Sequence, residues 1–159
     1  MRVRSAPIHG VTRQRFRLVL ILMLAVSAAF VVWTWIRPYE WRADPGAKAV
    51  IVASSVRQDH SYHWLDIRLG IRDGMEHDLR KPVFLETAGR SRIEPADTTL
   101  AGDTDRPIDE LFLRFWLEEG DFDGPIHLHL NDGRLNVRSG SGEPRLRRNG
   151  EASFQTRRW

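Results

Sequence analysis

Two histidines separated by one residue, His127 and His129, are the side chains best spaced for metal chemistry in this chain. Residues two apart on a β-strand lie on one face, so both imidazoles could reach a common ion. Zinc needs three or four ligands, and no cysteine is present to supply one. His60 and His63 would complete a set only if the fold placed them alongside. We interpret the pair as exposed strand residues and expect neither a metal nor another cofactor.

The acidic run Glu118 to Asp123 is a second candidate for ion binding. Asp121 and Asp123 are spaced like the first ligands of an EF-hand loop, which holds calcium through carboxylate oxygens. Pro125 and Ile126 then stand where that loop needs a ligand and a glycine. We interpret the run as a solvated acidic loop, with weak calcium binding as the open alternative.

The segment Ser139 to Gly142 (SGSG) superficially resembles a nucleophile elbow but lacks the GxSxG order. Paired carboxylates are plentiful elsewhere, yet acid–base catalysis needs a cleft that shifts their pKa values, and no motif indicates one. We therefore predict no catalytic residues and no enzymatic activity. A metal-dependent enzyme is kept as the weakest alternative.

An aromatic and arginine group forms the candidate partner-binding site: Phe112, Arg114 and Trp116. These residues alternate with the apolar Leu111, Leu113, Phe115 and Leu117, so they occupy the outer face of a predicted strand. Aromatic residues and arginine dominate the energetic centres of interfaces. The alternative is that a loop or a second sheet covers this face.

Period-two alternation elsewhere predicts a fold class that is all-β, an antiparallel sandwich of about seven strands. Strands are predicted at 49–56, 62–72, 83–85, 111–117, 126–130 and 135–138, with a loop over 95–108. Asp132-Gly133 predicts a two-residue hairpin turn that pairs Leu130 with Leu135 and Leu128 with Val137. In that register His127 and Arg138 both point outward.

The segments IRDGMEHDLRKPVFLET and LFLRFWLEEGDFDGPIHLHL, with the terminal hairpin, resemble small immunoglobulin-like or telokin-like sandwich domains of bacterial membrane-anchored and envelope proteins. The resemblance is one of layout and covers roughly Lys48 to Arg138. It implies a role in binding or assembly rather than in catalysis.

Nineteen uncharged residues from Leu18 to Ile36 predict a transmembrane helix of roughly 28 Å, close to the thickness of a bilayer core. Amphipathic residues around its end predict a membrane-interface group made of Trp33, Trp35, Arg37, Tyr39 and Trp41. A cleaved signal peptide is the alternative, because the small residues Ser27, Ala28 and Ala29 follow a basic start and an apolar stretch.

Charge bias sets the expected orientation. Five arginines precede the apolar run, whereas three basic residues follow it closely, so residues 1–17 are expected to stay cytoplasmic as a basic stub. The remainder is then extracytoplasmic: a linker at 37–47, a sandwich domain at 48–138 and a disordered basic tail at 139–159. Arginine-rich composition suggests a bacterium, and hence its inner membrane.

Residues 37–138 carry fourteen Lys and Arg against nineteen Asp and Glu, so they lack the basic face that nucleic acid requires. We expect a non-catalytic domain that binds a protein or an envelope component. The alternative is an accessory subunit of a larger membrane complex, packing through the small residues of its transmembrane helix.

Overall fold

The computed structural model describes residues 9–35, 44–71, 77–78, 80–102 and 109–159. The chain divides after Arg37 into two compact units. The first contains helix α1, His9–Trp35, within which Arg15–Trp33 has a mean hydropathy of 2.4 and could cross a membrane once. A signal sequence near the N-terminus would meet the same criteria of length and hydropathy. The helix begins before Leu18 because the basic residues there, although too polar for the bilayer core, are good helix formers.

The second unit is built from β-strands. Within its described residues there are eight: β1 Ala49–Asp59, β2 Tyr62–Ile71, β3 Phe84–Glu86, β4 Asp97–Ala101, β5 Glu110–Leu117, β6 Ile126–Leu130, β7 Gly133–Arg138 and β8 Glu151–Phe154. They form one antiparallel sheet in the order β4-β5-β2-β1-β8 and a second in the order β3-β6-β7. The predicted class, antiparallel and predominantly β, is confirmed at this level.

Alternation along each strand builds the core between the sheets. Leu65, Ile67 and Leu69 of β2 are buried opposite Leu113 and its neighbours on β5, in the register that period two predicts. The three-stranded sheet supplies the other side of the core with Leu85, Ile126, Leu128, Leu130, Leu135 and Val137.

The register of the last hairpin differs from the predicted one. The turn uses Asn131 and Asp132, so Leu130 pairs with Gly133 and Leu128 with Leu135. Asn131 takes the left-handed conformation at φ 55°, which asparagine tolerates better than most residues. Gly133 serves a different purpose: a Cβ there would lie 2.0 Å from the backbone nitrogen of Ala47. A close backbone approach, rather than the turn itself, therefore requires this glycine.

Arg138 is buried, contrary to its predicted outward position. A bulge between Ile126 and His127 pairs Ile126 with Arg138 and turns the arginine into the interior. Its guanidinium donates to the main-chain oxygens of Phe122 (2.9 Å), Trp159 (2.6 Å) and Gly142. Burial lowers the pKa of Arg138.

The predicted disorder of the tail at 139–159 is also wrong, because this segment pairs with β1 and packs on the core. β8 lies inside it and adds to the edge of β1, while Leu146, Phe154 and Trp159 pack against the core. Trp159 stacks on Phe154 with ring centroids 4.5 Å apart. The few apolar residues of this segment thus meet at one contact in the folded protein. Composition gives their number but not their proximity in the fold.

Two further boundaries differ between the sequence prediction and the structure, namely the start of the folded unit and the extent of the loop at 95–108. Asp44 caps a 3₁₀ helix at Pro45–Ala47, and Ala47 is fully buried, so the folded unit includes residues assigned to the linker. Residues 37–43 lie outside the described part of the chain. The predicted loop over 95–108 contains strand β4, whose exposed polar residues gave no alternating signal.

Candidate partner-binding surface

The outward side of the five-stranded sheet, called the outer face from here on, carries all three predicted binding residues. Phe112, Arg114 and Trp116 alternate along β5 with buried residues, as the sequence predicts. β5 lies between β4 and β2, so this row of side chains has neighbours on both sides. In the described residues the second sheet packs against the opposite side of β5, not against the outer face.

Two bidentate ion pairs fix side chains in the middle of the outer face. Arg114 donates from Nε to Asp66 Oδ1 at 2.6 Å and from Nη2 to Asp66 Oδ2 at 3.1 Å. Arg68 donates from Nε to Glu110 Oε2 at 3.1 Å and also pairs with the other carboxylate oxygen. The hydrogen bond to Asp66 raises the pKa of Arg114, which stays charged. Planar fork-to-fork contacts of this kind hold both partners in one geometry.

A groove of about 470 Å³ lies beside these pairs on the outer face. Small side chains border it along β1 and β8: Ala53 and Ser55, with Ser153 directly opposite Ser55 in the register. Phe112 and Thr99, also cross-strand partners, line it on the β5 and β4 side. The groove exists because small residues on one half of the sheet adjoin long residues on the other.

Aromatic residues cluster at one end of the same face. The rings of Tyr62 and Trp116 lie 4.8 Å apart, and Arg90 lies over the Trp116 ring at 5.8 Å. Trp64 is the cross-strand partner of Trp116 and donates its indole N–H to Asp59 at 3.2 Å. Trp116 is therefore half-buried by its neighbours, whereas Phe112 keeps 38% of its surface exposed.

Three of the four histidines considered as metal ligands are held in other contacts, and His127 is half-buried on β6 opposite Asn136. His129 stacks on Phe84 at 4.4 Å and contacts Glu86 through Nε2 at 2.7 Å, which lowers the pKa of Glu86. His60 contacts Asp59, and His63 belongs to the other sheet. Across the described ranges no group of three or more His, Asp or Glu side chains is arranged to hold a metal ion.

The acidic run is only partly solvated. Asp121 is buried and receives hydrogen bonds from Thr87 (2.8 Å), from the Glu118 backbone N–H (2.8 Å) and from Arg90 through two nitrogens. Burial alone would raise the pKa of Asp121, but these hydrogen bonds outweigh it and the pKa lies below its ordinary value. Its oxygens are committed to the fold, whereas Glu118, Glu119 and Asp123 remain exposed.

The other predicted positions serve structural roles or fall outside the description. The SGSG segment is ordered, with Ser139 donating its backbone N–H to Arg157 at 2.7 Å. Trp33 is exposed on α1 and Trp35 ends that helix, while Arg37, Tyr39 and Trp41 lie outside the described residues.

The burial of His63, which the sequence offered only as a possible metal ligand, was not predicted. His63 is 4% exposed and packs edge-on against Phe122 at 5.1 Å, and its Nδ1 has no hydrogen-bond partner in the described part of the chain. Burial lowers the pKa of His63. Its position among the buried residues of an alternating strand was the signal that could have identified it.

The ion pairs and the groove were also missed. Asp66 and Arg68 were visible as outward residues of β2, but their partners come from β5, and strand order is not encoded in alternation.

Comparison of the chain with protein-family models, with curated proteins and with solved structures gave no match.

Proposed function

We propose that this protein is a single-pass membrane protein whose β-domain binds a protein or cell-envelope partner through the outer face. The observation that carries the proposal is the combination of Phe112, exposed beside the groove, with arginines already fixed by Asp66 and Glu110. Side chains ordered before binding lose little entropy when a partner arrives, so the free energy of their contacts is retained as affinity.

The proposed cellular location of the domain rests on the N-terminal segment. A helix with the hydropathy of α1 anchors the chain, and the arginines at its start favour a cytoplasmic N-terminus. The domain would then lie on the extracytoplasmic side of a bacterial inner membrane and would resemble immunoglobulin-like envelope domains. Binding rather than catalysis is the proposed role, in keeping with a surface whose charged groups are paired with one another.

Orientation is tested with a reporter fused after Trp159 that is active only when exported. Activity of this fusion supports the proposed topology. If instead only a second fusion at the same position is active, with a reporter that works in the cytoplasm, the proposed topology is contradicted. Protease treatment of spheroplasts gives an independent check, because it should digest an extracytoplasmic domain and spare a cytoplasmic one.

Binding is tested by photo-crosslinking in intact cells. A benzophenone amino acid replaces Phe112 in one variant and Asn136, on the outward side of the three-stranded sheet, in the control. Adducts formed from position 112 and not from position 136 support the proposal. Equal crosslinking from both positions, or none from 112, contradicts it. A third variant carries the benzophenone at Ala28 of α1, and adducts formed from that position alone would favour an accessory subunit.

A further inference from the structure

Among the residues that line the groove, the two arginines Arg68 and Arg114 balance the charges of the two aspartates Asp66 and Asp97. Arg114 pairs with Asp66, and Arg68 pairs with Glu110, which lies beside the groove and not in its lining. Opposite charges this close produce little net field, so the groove neither attracts nor repels a charged ligand strongly. A neutral ligand fits such a site better than an anion or a cation.

The same groups offer hydrogen bonds in fixed directions. A guanidinium has five N–H donors and a carboxylate about four acceptor positions, and each bidentate pair uses two of each. The remaining donors and acceptors therefore line the groove together with the hydroxyl-bearing residues Ser55, Ser153 and Thr99. A ligand rich in hydroxyl groups, which donate and accept at once, matches this pattern, whereas an apolar ligand would desolvate these groups without replacing their bonds.

An exposed ring supplies the apolar contact. Phe112 lines the groove, and its ring face carries a partial negative charge that attracts polarised C–H groups. Arg68 lies 5.8 Å from the ring centroid, so ring and guanidinium form one edge of the groove. Sugar rings present this combination of a C–H face and a hydroxyl rim.

The dimensions agree with a short ligand segment. A volume of about 470 Å³ lies within the roughly 300–1,000 Å³ range of small-ligand sites. We infer that the groove on the outer face binds a neutral saccharide chain, with Phe112 stacking on a sugar ring and the Arg114–Asp66 pair contacting its hydroxyl groups. This inference rests on the proposed function and names the partner class of that surface.

The test uses the full chain in phosphocholine nanodiscs, because detergents with sugar headgroups would compete. The probes are maltohexaose, cellohexaose and chitohexaose, with dextran sulfate as the anionic comparison and calorimetry or interferometry as the readout. At least one neutral probe is expected to bind, with an affinity that is the same at low and high salt, since no charge is neutralised. Binding of dextran sulfate alone, or of no probe, contradicts the inference.

Two variants locate the site. Phe112→Ala is expected to weaken binding roughly five- to tenfold, the size of one aromatic contact. Ser55→Phe, which fills the groove, should abolish binding, while Phe84→Ala on the other sheet is the matched control and should bind as the parent does. Circular dichroism melting identifies any variant that fails to fold, and equal affinities for Phe112→Ala and the control would overturn the assignment. A protein adduct at position 112 without saccharide binding would contradict this inference and leave the proposed function standing.

Discussion

Trp159 is expected to contribute substantially to stability, although it lies in a segment whose composition predicts disorder. Its ring stacks on Phe154 at an interplanar angle of 7° and lies 5.0 Å from the guanidinium of Arg138. The side chain is partly buried, so on the order of 150 Å² of apolar surface leaves water, worth roughly 3 to 4 kcal/mol. A compact unfolded state reduces that value by about 10–40%. Stacking and the cation–π contact each add about 1 kcal/mol.

We therefore expect Trp159→Ala to lower the free energy of unfolding by about 4 kcal/mol, within the usual range for removing a large aromatic side chain. The assay is urea unfolding of a fragment spanning residues 44–159, followed by far-UV circular dichroism because the variant loses a fluorophore. Arg158→Ala, at the exposed neighbouring position, is the control and should change stability by less than about 0.5 kcal/mol. A loss for Trp159→Ala no larger than that of the control would refute the packing of the tail.

Three further predictions concern the hairpin, the buried histidine and the acidic run. Gly133→Ala should lower the free energy of unfolding by about 3 kcal/mol or prevent folding, because the new Cβ would clash with the backbone of Ala47. At Gly120 the atom nearest to a new Cβ is a side-chain oxygen 4.0 Å away, so the alanine variant there should be nearly neutral. Thermal melts compare the two variants. Folding favours neutral His63, so the unfolded state binds the extra proton and stability should fall as pH drops below about 6.5, by up to ~1.4 kcal/mol per pH unit. Urea titrations at several pH values should show a shallower decline for His63→Leu; an unchanged slope would contradict the burial of this imidazole. Asp121→Asn should lower the free energy of unfolding in urea by about 3 kcal/mol, because it leaves a partly buried arginine without its charge partner. Millimolar calcium should not shift the melting temperature of the parent protein. A calcium-dependent rise would instead favour an ion site in the loop.

Alternation predicts which face of each strand is buried, because burial on one side is a local property of the strand. The residues of β2 and β5 illustrate this, since the alternating apolar residues from Leu65 to Leu69 and from Leu111 to Leu117 are all buried. The three predicted binding residues lie on the opposite face for the same reason.

Pairing between distant segments could not be predicted in this way. β8 joins β1 across about one hundred residues, and the bulge that buries Arg138 depends on how β6 and β7 meet. The turn at Asn131 was missed because Gly133 was assigned to the turn, whereas its small size is needed for the approach of Ala47. Each of these features depends on contacts between segments that are distant in the sequence or on how two strands meet, and neither is encoded in local alternation.

The central claim, that the outer face is occupied by a partner in the cell, is tested most directly by hydroxyl-radical footprinting with mass spectrometry. Oxidation of Phe112 and Tyr62 is compared between native membranes and the purified protein in nanodiscs, with Phe84 on the other sheet as the internal reference. The proposal predicts that Phe112 and Tyr62 become severalfold less reactive in native membranes while Phe84 is unchanged, whether the partner is a saccharide or a protein. Equal reactivity of Phe112 in the two preparations would contradict it.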